Sequence, residues 1–190
     1  MILPIRAFGD SVLRKKAHDI TKDYPELQAL IDNMFETMYG ANGIGLAAPQ
    51  IGLDIRLFVV DVSPLSDDED YEDIAEELKD FKKVFINAKI IEESGEEWKF
   101  NEGCLSIPEV REDVKRKSTI KIEYYDRNFV KHTDTFSDIR ARVIQHEYDH
   151  IEGILFTDHL SALKKKIVKG KLQKIANGEV AVSYKMRFPK

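Results

Sequence analysis

The sequence predicts an α+β fold: antiparallel β-sheets and hairpins packed around a central helix, with a further helix near the C-terminus. Three observations predict it. Alternating, strand-like segments follow one another directly, as at 119–125 and 129–136, and not as βαβ units. Helical periodicity is confined to three segments, 25–39, 138–152 and 160–176. Finally, 190 residues without an internal repeat or a Pro- or Gly-rich linker suit one domain, residues 1–190.

The elements follow in chain order. Over 25–39, Leu27, Leu30, Ile31, Met34 and Met38 recur at spacings of three and four, and Pro25 is expected in the first turn. Gly40 and Gly43 stop this helix. IRLFVVDV (55–62) reads as a buried strand. Residues 66–80, with nine acidic groups and one Lys, read as an acidic insertion forming a loop or short exposed helix. KKVFINAKIIE (82–92) is a second strand. At 119–125, Ile120, Ile122 and Tyr124 share one face, and Arg127 and Asn128 turn this strand into another over 129–136.

The helix over 138–152 has Ser137 or Asp138 as N-cap and Gly153 as terminator. The last helix, 160–176, is basic, with six Lys and no acid over 160–174. VAVSYKM is a possible closing strand within the C-terminal segment 160–190.

Composition narrows the function. Hydrophobic residues make up 43% and charged residues 33%, as in soluble globular proteins. The net charge of −5 disfavours general nucleic-acid binding. No apolar run is long enough to cross a bilayer. MILPIRAFGD has neither a signal-peptide core nor transit-peptide character. With a single cysteine, a reducing cytoplasm is the expected compartment.

The chemistry concentrates in QHEYDHIEG (145–153). His146 and His150 are four apart, so on a helix they lie on one face, with Glu147 beside them. This is H-E-x-x-H: two imidazole ligands for one metal ion and a carboxylate poised as general base. Ile139 and Val143 continue the same stripe, so both His point inward, where burial without a shared partner is costly. His18, His132 and His159 lack such a pattern and read as surface or structural.

A catalytic metal usually takes three protein ligands. The metzincin extension of the motif places its third His where this chain has Phe156. A gluzincin-like arrangement needs a Glu on a downstream helix, and Glu179 stands in a turn sequence. There remains Cys104, the lone thiol in EGCLSIP (102–108), which as thiolate completes a Cys-His-His set. GIGLAAPQIG (43–52) also fits the relaxed dinucleotide fingerprint, Gly43-x-Gly45-x-x-Ala48 with Asp61 beyond. That fingerprint must follow a strand and open a helix, whereas here a helix precedes and Pro49 and Gly52 follow.

GIGLAAPQIG, EGCLSIP and QHEYDHIEG, in that order, resemble the three signature motifs of peptide deformylase. The opening ILPIRAFGDSVLRKKA is similar to that family's N-terminus, and the resemblance runs from residue 2 to about 165. It implies a metal-dependent hydrolase that removes the formyl group from formyl-methionyl N-termini of nascent chains. The metal is held by Cys104, His146 and His150: Fe2+ natively, with Zn2+, Ni2+ or Co2+ able to replace it. Glu147 acts as the base. The Gln50 amide and the Leu105 backbone N–H stabilise the oxyanion, and Gly43, Ile44, Gly45 and Gly103 receive the peptide. Ile44, Ile139 and Val143 are offered as walls of the methionine slot. The basic C-terminal helix suggests ribosome contact. The protein is expected to be a bacterial, cytoplasmic monomer without membrane or specific nucleic-acid partners. Two other readings stay open: another H-E-x-x-H metallopeptidase with a different third ligand, and a non-catalytic module with a structural metal.

Overall fold

The computed structural model describes residues 1–189; Lys190, the end of the predicted 160–190 segment, lies outside them. The elements, in chain order, are β1 (Ile5–Arg6), α1 (Leu27–Gly40), β2 (Gly45–Ala47), β3 (Leu57–Asp61), α2 (Ala75–Leu78), β4 (Lys82–Cys104), β5 (Ile107–Tyr125), β6 (Lys131–Ser137), α3 (Asp138–Ile151), α4 (Ala162–Ala176) and β7 (Met186–Arg187). Five strands form one antiparallel sheet in the order β2-β3-β4-β5-β6. Consecutive strands are neighbours throughout, which is the hairpin connectivity of the α+β class.

α3 lies on one face of this sheet. Its apolar stripe, Ile139, Val143 and Ile144, packs against Phe58, Val60, Phe85, Ile120 and Ile122. α1 serves the opposite face, where Ile31, Met34 and Met38 meet Leu46, Leu57, Val59 and Ile86. β3 is buried along its whole length because residues of alternate parity feed these two cores. Its unbroken apolar reading follows from that position.

Several expectations are corrected. α1 starts at Leu27, two residues after Pro25, because Glu26 takes a left-handed conformation (φ 54°) that helical residues do not adopt. The predicted 82–92 and 119–125 strands are the outer ends of a much longer hairpin. Its inner half is rich in charged residues, and its register shifts at four irregularities. These bulges interrupt the strict two-residue period on which strand recognition depends. The acidic segment 66–80 agrees with the expected loop or short exposed helix: it runs through the short turns Ser63–Asp67 and Glu69–Ile74 into α2, anchored by Leu78, which is fully buried. The closing strand is β7, only two residues long; it begins at Met186, the last residue of VAVSYKM, and runs to Arg187. It pairs in parallel with β1, bringing the chain ends together.

Candidate metal centre and cleft

Three elements meet at the site. β4 ends at Cys104, and the chain reverses so tightly that Cys104 faces Ile107 across the hairpin. α3 carries His146, Glu147 and His150 on consecutive turns of its inward face. The segment after α1 brings up Gln50 on the short helical turn Ala48–Ile51. One ligand atom from each of Cys104, His146 and His150 lies within 4.8 Å of the other two. Cys104 Sγ is 3.3 Å from His150 Nε2, and the two imidazole centroids are 5.2 Å apart.

These donors fit a divalent cation. One thiolate and two neutral imidazoles form a soft-to-intermediate set that suits first-row transition metals. His146 Nδ1 is 3.0 Å from Glu102 Oε2, so this ring nitrogen donates its proton to the carboxylate and Nε2 keeps its lone pair. Glu179 does not take part: its carboxylate accepts from Asn177 Nδ2 just beyond α4.

Behind His146 lies a charge network that the sequence did not reveal. Glu102 accepts from Arg116 Nε at 2.7 Å and from Arg142 Nη1 at 3.0 Å. Arg116 also reaches Asp149 at 2.8 Å, which His159 contacts in turn. Arg142 is only 1% exposed; its guanidinium lies 4.5 Å from the Trp98 ring centroid and donates to the Trp98 and Val114 carbonyls. The partners come from β4, β5, α3 and the turn Phe156–His159, far apart in sequence, so no local pattern announces them. The one available signal was Glu102 within the EGCLSIP motif.

Burial by itself raises the Glu102 carboxyl, but hydrogen bonds from His146 and Arg116 outweigh it and hold the group well below the usual carboxylate range. Glu147 is the reverse case. Burial pushes it up to about 7. Its Oε2 is buried with no hydrogen-bond partner among the described residues. His150 is lowered chiefly by its burial.

A cleft of about 480 Å³ opens over the centre. Gly43, Ile44, Gly45, Gln50, Gly103, Cys104, Leu105, Val143, His146 and Glu147 all line it, joined by Phe100, Arg111, Arg142 and Tyr184, which the sequence did not single out. His150 sits behind this lining. Ile139 does not line the cleft: it stands in the first turn of α3, 1% exposed in the core, while the cleft reaches α3 only over Arg142–Glu147.

Two glycines are set by close approach. A Cβ on Gly45 would stand 2.8 Å from Glu147 Cδ, and one on Gly43 would stand 2.8 Å from Leu105 Cδ1. Gln50 is 1% exposed; its Oε1 accepts from Ala47 N at 2.8 Å, which turns the amide NH2 toward Cys104 Sγ (3.5 Å) and Ser106 Oγ (3.3 Å). The dinucleotide reading fails here as expected. Gly45–Ala47 is itself a strand, and Asp61 accepts from the Tyr39 hydroxyl and from Ser63.

Known proteins match this arrangement along nearly the whole chain. The family model described as polypeptide deformylase matches residues 2–166. A peptide deformylase of Christiangramia forsetii is 63% identical over 190 residues, covering all of this chain and 97% of that one. One of Salinibacter ruber is 46% identical over 184 residues, covering 97% and 93%. Among solved structures, a peptide deformylase from Legionella pneumophila superposes with a TM-score of 0.79 at 36% identity, covering 94% of this chain and 98% of that one. The Plasmodium falciparum peptide deformylase solved with an inhibitor gives 0.76 at 34% identity, covering 91% and 99%.

Proposed function

The chain belongs to the polypeptide deformylase family and is a hydrolase that removes formyl groups from nascent peptides; from that premise we propose how its residues do so. Cys104, His146 and His150 hold one divalent cation, and Glu147, Gln50 and Leu105 perform the hydrolysis beside it. The observation that carries this reading is the convergence of the three ligand atoms next to Glu147, whose Oε2 is buried with no hydrogen-bond partner among the described residues. When bound, the cation supplies Lewis-acid chemistry: it polarises a carbonyl and acidifies water.

The protein's own groups do the rest. Glu147 takes a proton from the attacking water and returns it to the departing methionine nitrogen, so formate and a free N-terminus result. The Leu105 N–H and the Gln50 amide hold the formyl oxygen as it gains charge; one such donor is worth about 2.7–4 kcal/mol of barrier. β2 is an edge strand with β3 on one side only. Gly45 on this edge, with Gly43 and Ile44 leading into it, therefore offers main-chain groups to which an extended peptide adds as a further strand, with Gly103 across the cleft. Ile44 and Val143 flank the slot for the methionine side chain.

The finer assignments belong to the same proposal. Residues 1–190 act as one catalytic domain and as a monomer. The native ion is Fe2+, with Zn2+, Ni2+ or Co2+ as substitutes. The enzyme works in the bacterial cytoplasm; among the described residues, no helix is long and apolar enough to cross a membrane. α4 presents Lys165, Lys166, Lys169, Lys171 and Lys174 on its exposed side, a surface suited to the ribosome. Binding of that kind weakens steeply with salt.

The test is formate release by anaerobically purified protein from formyl-Met-Ala-Ser, alongside Met-Ala-Ser and elemental analysis. The proposal expects one metal per chain, release of formate and no cleavage of the unformylated peptide. Fully metal-loaded protein that released no formate, or that cleaved both peptides equally, would contradict it.

A further inference from the structure

The polypeptide deformylase match ends at residue 166, yet the chain beyond it returns to the cleft. After α4, residues 179–189 double back over the hairpin end. β7 pairs with β1: Ile5 N donates to Lys185 O at 2.9 Å and Ala7 N to Arg187 O at 3.0 Å. Phe188 and Met186 pack on the core under α4. This strap carries Tyr184, half-buried beside Leu105, whose hydroxyl donates to the Leu105 carbonyl at 2.8 Å.

We propose that Tyr184 is a positioning residue for the deformylation step: by holding the Leu105–Ser106 peptide through its carbonyl it fixes the Leu105 backbone, so that the N–H on the other side of the Leu105 Cα faces the reacting oxygen. This rests on the oxyanion role given above to Leu105. The turn Leu105–Ser106 belongs to no strand, so side contacts must fix it. Three do. Phe8 N donates to Ser106 O at 2.8 Å, and Gln50 Nε2 reaches Ser106 Oγ at 3.3 Å. Tyr184 supplies the third and is the only one that reaches Leu105 itself by a hydrogen bond. Burial and the neighbouring Cys104 push the phenol up to about 12, so it remains a donor at neutral pH. Tyr184 also lines the cleft, but its hydroxyl is committed to the Leu105 carbonyl, whereas the peptide is received by the main chain at the edge of β2. Loss of the hydroxyl therefore acts on the transition state and leaves ground-state binding in place.

The experiment is Tyr184→Phe, which keeps the ring and removes the donor. One neutral hydrogen bond predicts a kcat for formyl-Met-Ala-Ser lower by about threefold to tenfold, with KM within about twofold. Metal content should be unchanged, and amide exchange should quicken at residues 104–107 but not across the sheet. An unchanged kcat, a loss lying only in KM, or a drop in bound metal would each overturn the proposal. In the unaltered protein, the Tyr184 hydroxyl proton should exchange slowly enough to give an NMR cross-peak to Leu105. Its absence would equally overturn the brace, and this readout stands if the Y184F chain does not fold. If the unaltered enzyme released no formate, the functional reading would fail while the hydroxyl measurement still decided the brace.

Discussion

Cys104 and Glu147 sit side by side at the site but answer to different physics. The sulfur is one of three donors within 4.8 Å of each other, while Glu147 is outside that group and its Oε2 is buried without a hydrogen-bond partner among the described residues. A serine at 104 offers a hard, protonated oxygen in place of a soft thiolate. Cys104→Ser is therefore expected to lower metal occupancy sharply after dialysis, measured by elemental analysis. Glu147→Ala should keep the metal and lose about 10²–10⁴ in kcat, the range for a general base. Those two residues were legible from sequence because H-E-x-x-H is local, and the lone Cys stood out by elimination. Glu102, Arg116 and Arg142 were not legible, since their meeting depends on how a 23-residue strand folds back beside a helix.

At the scale of elements, the helices were legible and the long hairpin was only partly so. α1 and α3 each bury one stripe, and a 3.6-residue period survives changes of residue type within it. β4 and β5 instead extend past the core into charged sequence, where bulges shift the phase and neither face is uniformly apolar. Two predictions belong here. β2 runs so close to α3 that a methyl group on Gly45 must displace the Glu147 carboxylate. Gly45→Ala should lower kcat while metal content holds, read by formate assay and elemental analysis. The Glu102 cluster joins β4, β5 and α3 through buried charges. Arg116→Ala removes the guanidinium that Glu102 and Asp149 share, leaving Glu102 with Arg142 and His146 and Asp149 with His159, a loss of up to about 3–5 kcal/mol read from the urea midpoint. It should also weaken metal binding about 10–100-fold, because the carboxylate that orients His146 is held less firmly.

Across the whole molecule, the chain ends matter more than their short strands suggest. The β1–β7 pair and the Arg14–Asp158 ion pair tie the N-terminal segment to elements more than a hundred residues away. Asp158 is raised by burial, but Arg14 and the Leu155 N–H outweigh this and hold it below its ordinary value. A depressed carboxyl contributes stability above the unfolded value near 3.9 and loses it as pH falls through the lower folded value. Asp158→Asn should therefore flatten the fall in urea midpoint between about pH 5 and pH 2. The neutral side chain has no such proton to take up.

The account rests on sulfur and two imidazole nitrogens sharing one ion. X-ray absorption at the metal edge of the zinc-loaded protein tests this directly. It should report one sulfur at about 2.3 Å and two nitrogens at about 2.0–2.1 Å. A first shell without sulfur, in protein that still releases formate, would contradict it.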